Sequence, residues 1–408
     1  MQAGRVVRAP PRMPETPRFD AEDAALLARA IELAHSSIGL SDPNPRVGCV
    51  LALPGAGVVA TGFTQEAGGA HAEVMALREA RARGIDTAGA TAYVSLEPCS
   101  HHGRTPPCCD ALLEARVARV VVAHEDPFPL VAGRGIERLR AAGVEVVVCP
   151  DAALVRQARE LNIGFLARIQ RGRPWVRAKA AATLDGRTAL PDGTSQWITG
   201  PVARADGHAW RRRAGAVLTG VGTVRDDDPR LDVRHVPTAR QPVRVVVDSR
   251  LEMPRDARLL EPPGEVWVFH ALDESEAGAR GAALSACGAR LMAAPGAAGK
   301  VDLAAMLDRL GEAGINELHV EAGHRLNGSL LRADLIDEWL VYLAPRLLGE
   351  GRPIAAFGPL DNLQQTVELE WHGVERLGPD LRLLARRPGR EPWATIQPAT
   401  IDACSPAS

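Results

Sequence analysis

Two periods of apolar residues run through the chain. From Asp20, a residue suited to cap a helix, AEDAALLARAIELAHSS places Leu26, Leu27, Ala30, Ile31 and Ala34 on one helical stripe. RVGCVLAL, a Pro-Gly-Ala-Gly turn and GVVATGFT then read as a hairpin. TAYVSLE, ARVVVAHED and VEVVVC read as strands, separated by the helical stretches CDALLEARV and GRGIERLRAAG. Strand and helix alternate, which predicts a layered α/β domain. A helix over about 151–169 leads into QRGRP, where Gly172 and Pro174 mark a boundary. A second α/β pattern follows. Its predicted strands are WVRAKAAAT, AVLTG, VRVVVDS, EVWVFH, ELHVEAG and EWLVYLAP, and its helices lie in PVARADGHAWRRRAG, VDLAAMLDRLGEAG and RLNGSLLRADL.

The pattern divides the chain into domains at 20–170 and 174–388, flanked by a loose extension at 1–19 and a loose tail at 389–408, both rich in Pro and Arg. A chain of 408 residues is too long for one ordinary core, and no short repeat marks a solenoid. Composition then works by exclusion. With 46 % hydrophobic and 24 % charged residues, bulk disorder is excluded. Lys+Arg 48 against Asp+Glu 50 gives a net charge of −2, without the basic excess that grips nucleic acid, so a small-molecule substrate is expected. No apolar run approaches the roughly eighteen residues of a membrane span, and no apolar stretch follows the basic start as a signal peptide requires. A cytoplasmic protein is expected. Its seven cysteines, an odd number in a long chain, point to reduced thiols and metal ligation.

The candidate metal chemistry lies in two stretches. In GGAHAEVMALREA, His71 and Glu73 open an amphipathic helix in the H-x-E arrangement of zinc deaminases. LEPCSHHGRTPPCCD supplies Cys99 after a proline. A catalytic Zn²⁺ takes three protein ligands and keeps one open position. Glu73 is then no ligand: it takes a proton from the water the ion polarises and returns protons to the ring nitrogen and the leaving ammonia. Two candidates compete for the third ligand. His102 stands where the usual second cysteine is missing, while Cys108 heads the next helix, whose N-terminus stabilises a thiolate. A closed structural zinc site needs four protein ligands and has no use for Glu73. Cys49, Cys109 and Cys149 read as buried small hydrophobes, and His35 as helix surface.

Signals in the second half are weaker one by one. LTGVGTVRDDDPRL has Gly220 and Gly222 of a dinucleotide fingerprint but Arg225 at the third glycine, and EAGHRLNGSLL spaces Gly323 and Gly328 like a phosphate loop but lacks its lysine. A glycine-rich turn before a helix still offers free N–H groups to a pyrophosphate. Lys179 is one of only two lysines, with Lys300, and sits in a strand of alanine and valine. A lysine there must be paired, so it is expected to face a reaction centre near Glu321.

The runs DPNPRVGCV, HAEVMALR, YVSLEPCSHHGRTPPCCDAL and DPFPLVAGRG, followed by KAAATLDGRTA, SQWITG, TVRDDDPRLDVR, VVVDSR and VEAG, resemble the bacterial bifunctional deaminase/reductase family of riboflavin biosynthesis over about 20–386. The resemblance implies a cytidine-deaminase-like three-layer domain followed by a dihydrofolate-reductase-like domain. It implies zinc on His71, Cys99 and Cys108, Glu73 as proton shuttle and Asn44 in the pyrimidine pocket, with His101, His102 and Arg104 in a substrate loop. In the second domain it implies NADPH at Ala181, Trp197, Thr223, Asp227, Ser249 and the loop Gly323, His324, Arg325, Leu326, Asn327, Gly328 and Ser329. Substrate falls to Ser195, Arg211, Leu231, Arg234 and Glu321, with Arg211 and Arg234 forking onto its phosphate and Lys179 catalytic. Ala181 stands where the family often has glycine, and Ser249 with Arg250 would read the extra phosphate of NADPH.

The expected reactions are deamination of 2,5-diamino-6-ribosylamino-4(3H)-pyrimidinone 5′-phosphate, then reduction of the ribosyl group of 5-amino-6-(5-phosphoribosylamino)uracil. The expected partners are these phosphorylated pyrimidines, with neither nucleic acid nor membrane, and a homodimer or homotetramer is expected. Two rivals make different predictions. A nucleic-acid base deaminase would carry a basic surface, and a deaminase with a non-catalytic nucleotide-binding module would bind NADPH without oxidising it.

Overall fold

The computed structural model describes residues 18–100, 106–127 and 132–395. Asp20 accepts hydrogen bonds from the N–H groups of Glu22 and Asp23, and the Asp23 carboxylate accepts from the Asp20 N–H, so a capping box opens α1 (Ala21–Ala34) as its sequence predicts. β1 (Gly48–Leu53), β2 (Gly57–Phe63), α2 (Ala72–Ala82), β3 (Thr91–Val94), α3 (Cys108–Glu114) and β4 (Arg119–Val122) follow. Then come α4 (Arg134–Ala141), β5 (Glu145–Val148), α5 (Ala152–Leu161) and α6 (Ile163–Arg171). The five strands form one sheet in the order β2-β1-β3-β4-β5. Leu27 and Ile31 of α1 and Leu154 of α5 cover one face. Ala72 and Ala76 of α2, Leu112 of α3 and Ile136 of α4 cover the other. These are the three layers expected.

The second unit begins with β6 (Trp175–Thr183), β7 (Arg187–Ala189), α7 (Pro201–Arg213), β8 (Ala216–Gly220), α8 (Val221–Asp227), β9 (Val243–Val247) and β10 (Val266–His270). It continues through α9 (Glu274–Ala286), β11 (Ala289–Ala293), α10 (Leu303–Glu312), β12 (Glu317–Val320), α11 (His324–Arg332), β13 (Glu338–Ala344), β14 (Arg352–Pro353), β15 (Glu370–Leu377) and β16 (Asp380–Arg386). Nine strands form a sheet in the order β11-β10-β9-β8-β12-β6-β13-β16-β15. The run from β11 to β13 is parallel, and β16 and β15 close it as an antiparallel hairpin. No helix of the described residues is long and apolar enough to cross a membrane.

Two expectations change here. The single helix over 151–169 is two helices, because the Asn162 side chain between them exchanges hydrogen bonds with the Arg46 backbone, accepting at 2.7 Å and donating at 2.8 Å. The tail is docked as far as residue 395: Trp393 packs on Ile163, Ala167 and Trp175, and Arg390 pairs with Asp334. Residues 396–408, like 1–17, lie outside the described residues.

The two units meet over buried charge. Glu317, at the start of β12, accepts from Arg46 of the first unit at 2.7 Å, Arg177 at 2.7 Å and Arg213 at 2.8 Å. Burial alone would raise its carboxyl pKa, but Arg213, Arg46 and Arg177 together hold it far below the usual range. Glu338 pairs in turn with Arg177 and Arg386. Removing one member leaves uncompensated buried charge, so Glu317→Ala is expected to cost about 3–5 kcal/mol, read as a lower urea midpoint; an unchanged midpoint would refute it. Since the folded pKa is depressed, this contribution is complete above the unfolded carboxylate range and is lost only on acidification below it.

Candidate active sites

The first site forms where three elements converge. His71 is the N-cap residue of α2 with its side chain free of capping duty, Cys99 follows β3, and Cys108 is the first residue of α3. The His71 Nδ1 lies 3.6 Å from Cys99 Sγ and 3.3 Å from Cys108 Sγ, and the three ligand atoms lie within 4.8 Å of one another. Donors bound at about 2.0–2.3 Å around a tetrahedral ion stand about 3.5 Å apart, so this set fits Zn²⁺. The Cys108 N–H also donates to Cys99 Sγ at 3.3 Å. A hydrogen bond from Cys108, aided by His71, pulls the Cys99 thiol below its usual range, while Cys108, facing that negative charge and buried, is pushed up. His102 and its neighbours His101 and Arg104 lie outside the described residues.

Glu73 is two residues into α2 and only 3 % exposed. Burial pushes its carboxyl up to about 6, with the Cys99 charge adding and His71 opposing. A carboxyl poised there can both accept and return a proton near neutrality. Cys49, on β1, shares a buried core with Ala72 and Ala76 of α2, and burial, with the Glu73 charge, raises its thiol well above the usual range. Asn44 sits five residues earlier, in the turn closed by its own N–H on Ser41 O at 2.9 Å. Cys49, Cys109 and Cys149 are buried as expected, and His35 is exposed.

Sequence reasoning overlooked Glu97. Its buried carboxylate accepts from the N–H groups of Asp126 (3.0 Å), Gly133 (3.0 Å), Gly135 (2.8 Å) and Ile136 (3.2 Å), tying the chain before Cys99 to the start of α4. Gly135 is required there, since a Cβ would stand 2.1 Å from the Pro98 carbonyl oxygen. An acid directly before Pro98-Cys99, at the end of an apolar strand, is the signal that could have found it.

The second site is a cleft at the carboxyl ends of β6, β8 and β12, where open α/β sheets place ligands. A cavity of about 490 Å³ is lined by Lys179, Ala181, Ser195, Trp197, Arg211, Thr223, Asp227, Leu231, Arg234, Glu321, Gly323, His324 and Asn327 from the expected set. A second cavity of about 350 Å³ adjoins it and shares Lys179, Trp197, Arg211, Arg234 and Glu321. Lys179 Nζ stands 3.5 Å from Glu321 Oε2, as its strand position predicts. Burial would raise Glu321, but Arg211 and Lys179 hold it well below the usual carboxylate range. His208, in the second cavity, accepts from the Arg234 N–H at 3.4 Å and is lowered to about 3 by burial and by Arg211 and Arg234, so it is neutral.

Three expected contacts come out differently. Arg211 closes its fork on Glu321, through Nε and through Nη2 at 2.9 Å, and donates from Nη1 to Asp232 O at 2.9 Å, because the buried carboxylate needs a countercharge. Its fork is therefore not open to a phosphate. The stretch Gly323–Ser329 is not a loop: α11 starts at His324, so Arg325, Leu326, Gly328 and Ser329 do not line the cavity. Gly328 instead lets the helix approach Ala356, whose carbonyl oxygen would lie 2.0 Å from a Cβ. Ser249 and Arg250 likewise do not line it, and Ser249 Oγ accepts from Val301 N at 3.2 Å. The part of α11 that does line the cavity suits a dinucleotide. Among the described residues no side chain caps this helix, which leaves N–H groups for a pyrophosphate, and none bonds to the buried Asn327 Oδ1.

Comparison with known proteins covers both halves of the chain. A family model described as the RibD C-terminal domain matches residues 174–383, and one described as the cytidine and deoxycytidylate deaminase zinc-binding region matches 20–124. The riboflavin biosynthesis protein RibD of Escherichia coli is 42 % identical over 375 residues, covering 89 % of this chain and 98 % of the relative. That of Aquifex aeolicus is 40 % identical, covering 90 % and 98 %. Among solved structures, RibD of Acinetobacter baumannii superposes with a TM-score of 0.79 at 39 % identity, covering 90 % of this chain and 98 % of that one. A Thermotoga maritima protein described as a diaminohydroxyphosphoribosylaminopyrimidine deaminase/5-amino-6-(5-phosphoribosylamino)uracil reductase gives 0.78 at 32 % identity, covering 90 % and 99 %.

Fold and sites together define a bifunctional enzyme, with a zinc-binding, cytidine-deaminase-like domain joined to a reductase domain of the dihydrofolate-reductase type. The chain belongs to the RibD family of riboflavin biosynthesis. Neither a nucleic-acid base deaminase nor a passive nucleotide-binding module is favoured, since these relatives match across both halves.

Proposed function

We propose that domain 20–170 removes the 2-amino group of 2,5-diamino-6-ribosylamino-4(3H)-pyrimidinone 5′-phosphate, and that domain 174–388 then reduces the ribosyl group of 5-amino-6-(5-phosphoribosylamino)uracil with NADPH. The observation that carries the first half is the imidazole and two sulfurs within 4.8 Å, with buried Glu73 two residues along the helix from His71. His71, Cys99 and Cys108 would hold the ion, which supplies the Lewis acidity that makes water nucleophilic near neutral pH. Glu73 takes the proton that water gives up and returns protons to the ring nitrogen and the departing ammonia. Asn44 contacts the pyrimidine.

In the second domain NADPH supplies a hydride. Ala181, Thr223 and Asp227 would hold the cofactor, together with the N–H groups at the start of α11. As the C1′–O bond breaks, Lys179 gives its proton to the ring oxygen and the C1′ nitrogen, keeping its own proton, forms an iminium; a hydride delivered to C1′ would then give the neutral ribitylamine. Glu321 orients the sugar and is itself held by Arg211. Ser195 and Arg234 hold the 5′-phosphate. A cytoplasmic homo-oligomer is the expected form.

One coupled assay tests the whole reading. Ammonia should appear on adding the diaminopyrimidine, and NADPH absorbance should fall only after it. Stripping the metal with a chelator should abolish ammonia release and leave reduction of supplied uracil intermediate at its original rate. Ammonia release from metal-free protein, or NADPH oxidation that ignores the uracil, would overturn it.

A further inference from the structure

The turn that carries Asn44 belongs to the first domain by sequence, yet most of its tethers come from the second. Asp42 is 4 % exposed. Its Oδ1 accepts from Asn316 Nδ2 at 2.8 Å and its Oδ2 from Arg240 Nη2 at 3.0 Å, while its carbonyl accepts from Arg240 Nη1 at 3.2 Å. Asn316 Nδ2 also donates to the Pro43 carbonyl at 3.1 Å, and Asn316 Oδ1 is fixed by Arg168 Nε at 2.7 Å. On the far side of Asn44, Arg46 is anchored on Glu317 and donates to the Arg213 carbonyl at 2.7 Å. Asn44 is therefore flanked within two residues on each side by buried side chains with partners beyond residue 174, although Arg46 is also held within its own domain by Leu161 and Asn162. The turn runs straight into β1, whose Cys49 shares one buried core with Ala72 and Ala76 of α2, the helix that carries Glu73.

From this we infer that the second domain completes the deaminase site: Asn316, Arg240 and Glu317 are positioning residues for deamination, acting through the Ser41–Arg46 turn. The inference rests on the reading that Asn44 contacts the pyrimidine. Neither Asn316 nor Arg240 lines the reductase cleft. Binding groups held by charge-assisted hydrogen bonds lose precision when those bonds go, and a misplacement of order 1 Å lowers catalytic efficiency by up to about a hundredfold. The same molecule contains its own folding control, because reduction occurs in the domain that bears the substitutions.

The test uses full-length Arg240→Ala, Asn316→Ala and Asn44→Ala. For the first two, KM for the diaminopyrimidine should rise about tenfold or more. Zinc content should stay at one per chain, and kcat and KM for reduction of the uracil with NADPH should match the parent. Asn44→Ala should raise the same KM. Deamination at parental KM in both second-domain variants, with Asn44→Ala impaired, would overturn the inference while sparing the role of Asn44. Parental kinetics in all three would overturn both. Equal losses of deamination and reduction would identify a general structural role and overturn it as well.

Discussion

Glu73→Gln is expected to lower ammonia release by about 10²–10⁴-fold while the protein keeps its zinc and its full rate of uracil reduction. The glutamine keeps the shape of the side chain inside the buried start of α2, and no ligand atom changes, so metal content measured by elemental analysis should not move. What is lost is a group that can hold a proton. Burial raises the Glu73 carboxyl to about 6, which places it between its two forms near neutrality, whereas an amide has no such second form. The size of the effect separates this role from a supporting one: a residue that only packed against His71 would cost zinc before it cost turnover. Deamination within a few-fold of the parent would refute the shuttle.

Much of the first site was legible in the sequence because its chemistry is local. His71 and Glu73 share one helical turn, and Cys108 starts a helix that two prolines precede, so spacing carries the geometry. The second cleft was legible only in part, because its walls come from strands far apart in the chain, and only the resemblance to a family brought them together. Where the wall residues compete for one another, position alone misleads. The resemblance implies a phosphate at Arg211, but Glu321, 110 residues away, takes its fork.

Elements with blurred periodicity were missed. α9 carries two glycines and a weak apolar stripe, and β15 has a bulge between Trp371 and Gly373 that shifts its alternation by a residue. The contacts around Asp42 and Glu317 could not be read at all. Each looks like a surface charge until a partner 198 to 274 residues away buries it.

Lys179→Met should reduce turnover of the uracil intermediate by at least about a hundredfold, leaving ammonia release and NADPH binding at parental values. Methionine keeps most of the aliphatic stem, so the packing of β6 between β12 and β13 is preserved. The ammonium is what disappears, and its position argues for a chemical role. Lys179 and Glu321 project into the shared part of the two cavities, 3.5 Å apart, whereas Arg177, two residues earlier on the same strand face, is buried and wholly engaged with Glu317 and Glu338. Arg211 neutralises Glu321 with or without the lysine, so electrostatic balance does not require a second cation there. A proton donor for the ring oxygen does. If Lys179 were merely a countercharge, Lys179→Arg would restore the rate. On the proposed chemistry it does not, because a guanidinium stays protonated at any working pH and gives up no proton. Full activity in Lys179→Arg, or an unchanged kcat in Lys179→Met, would remove the lysine from the reaction.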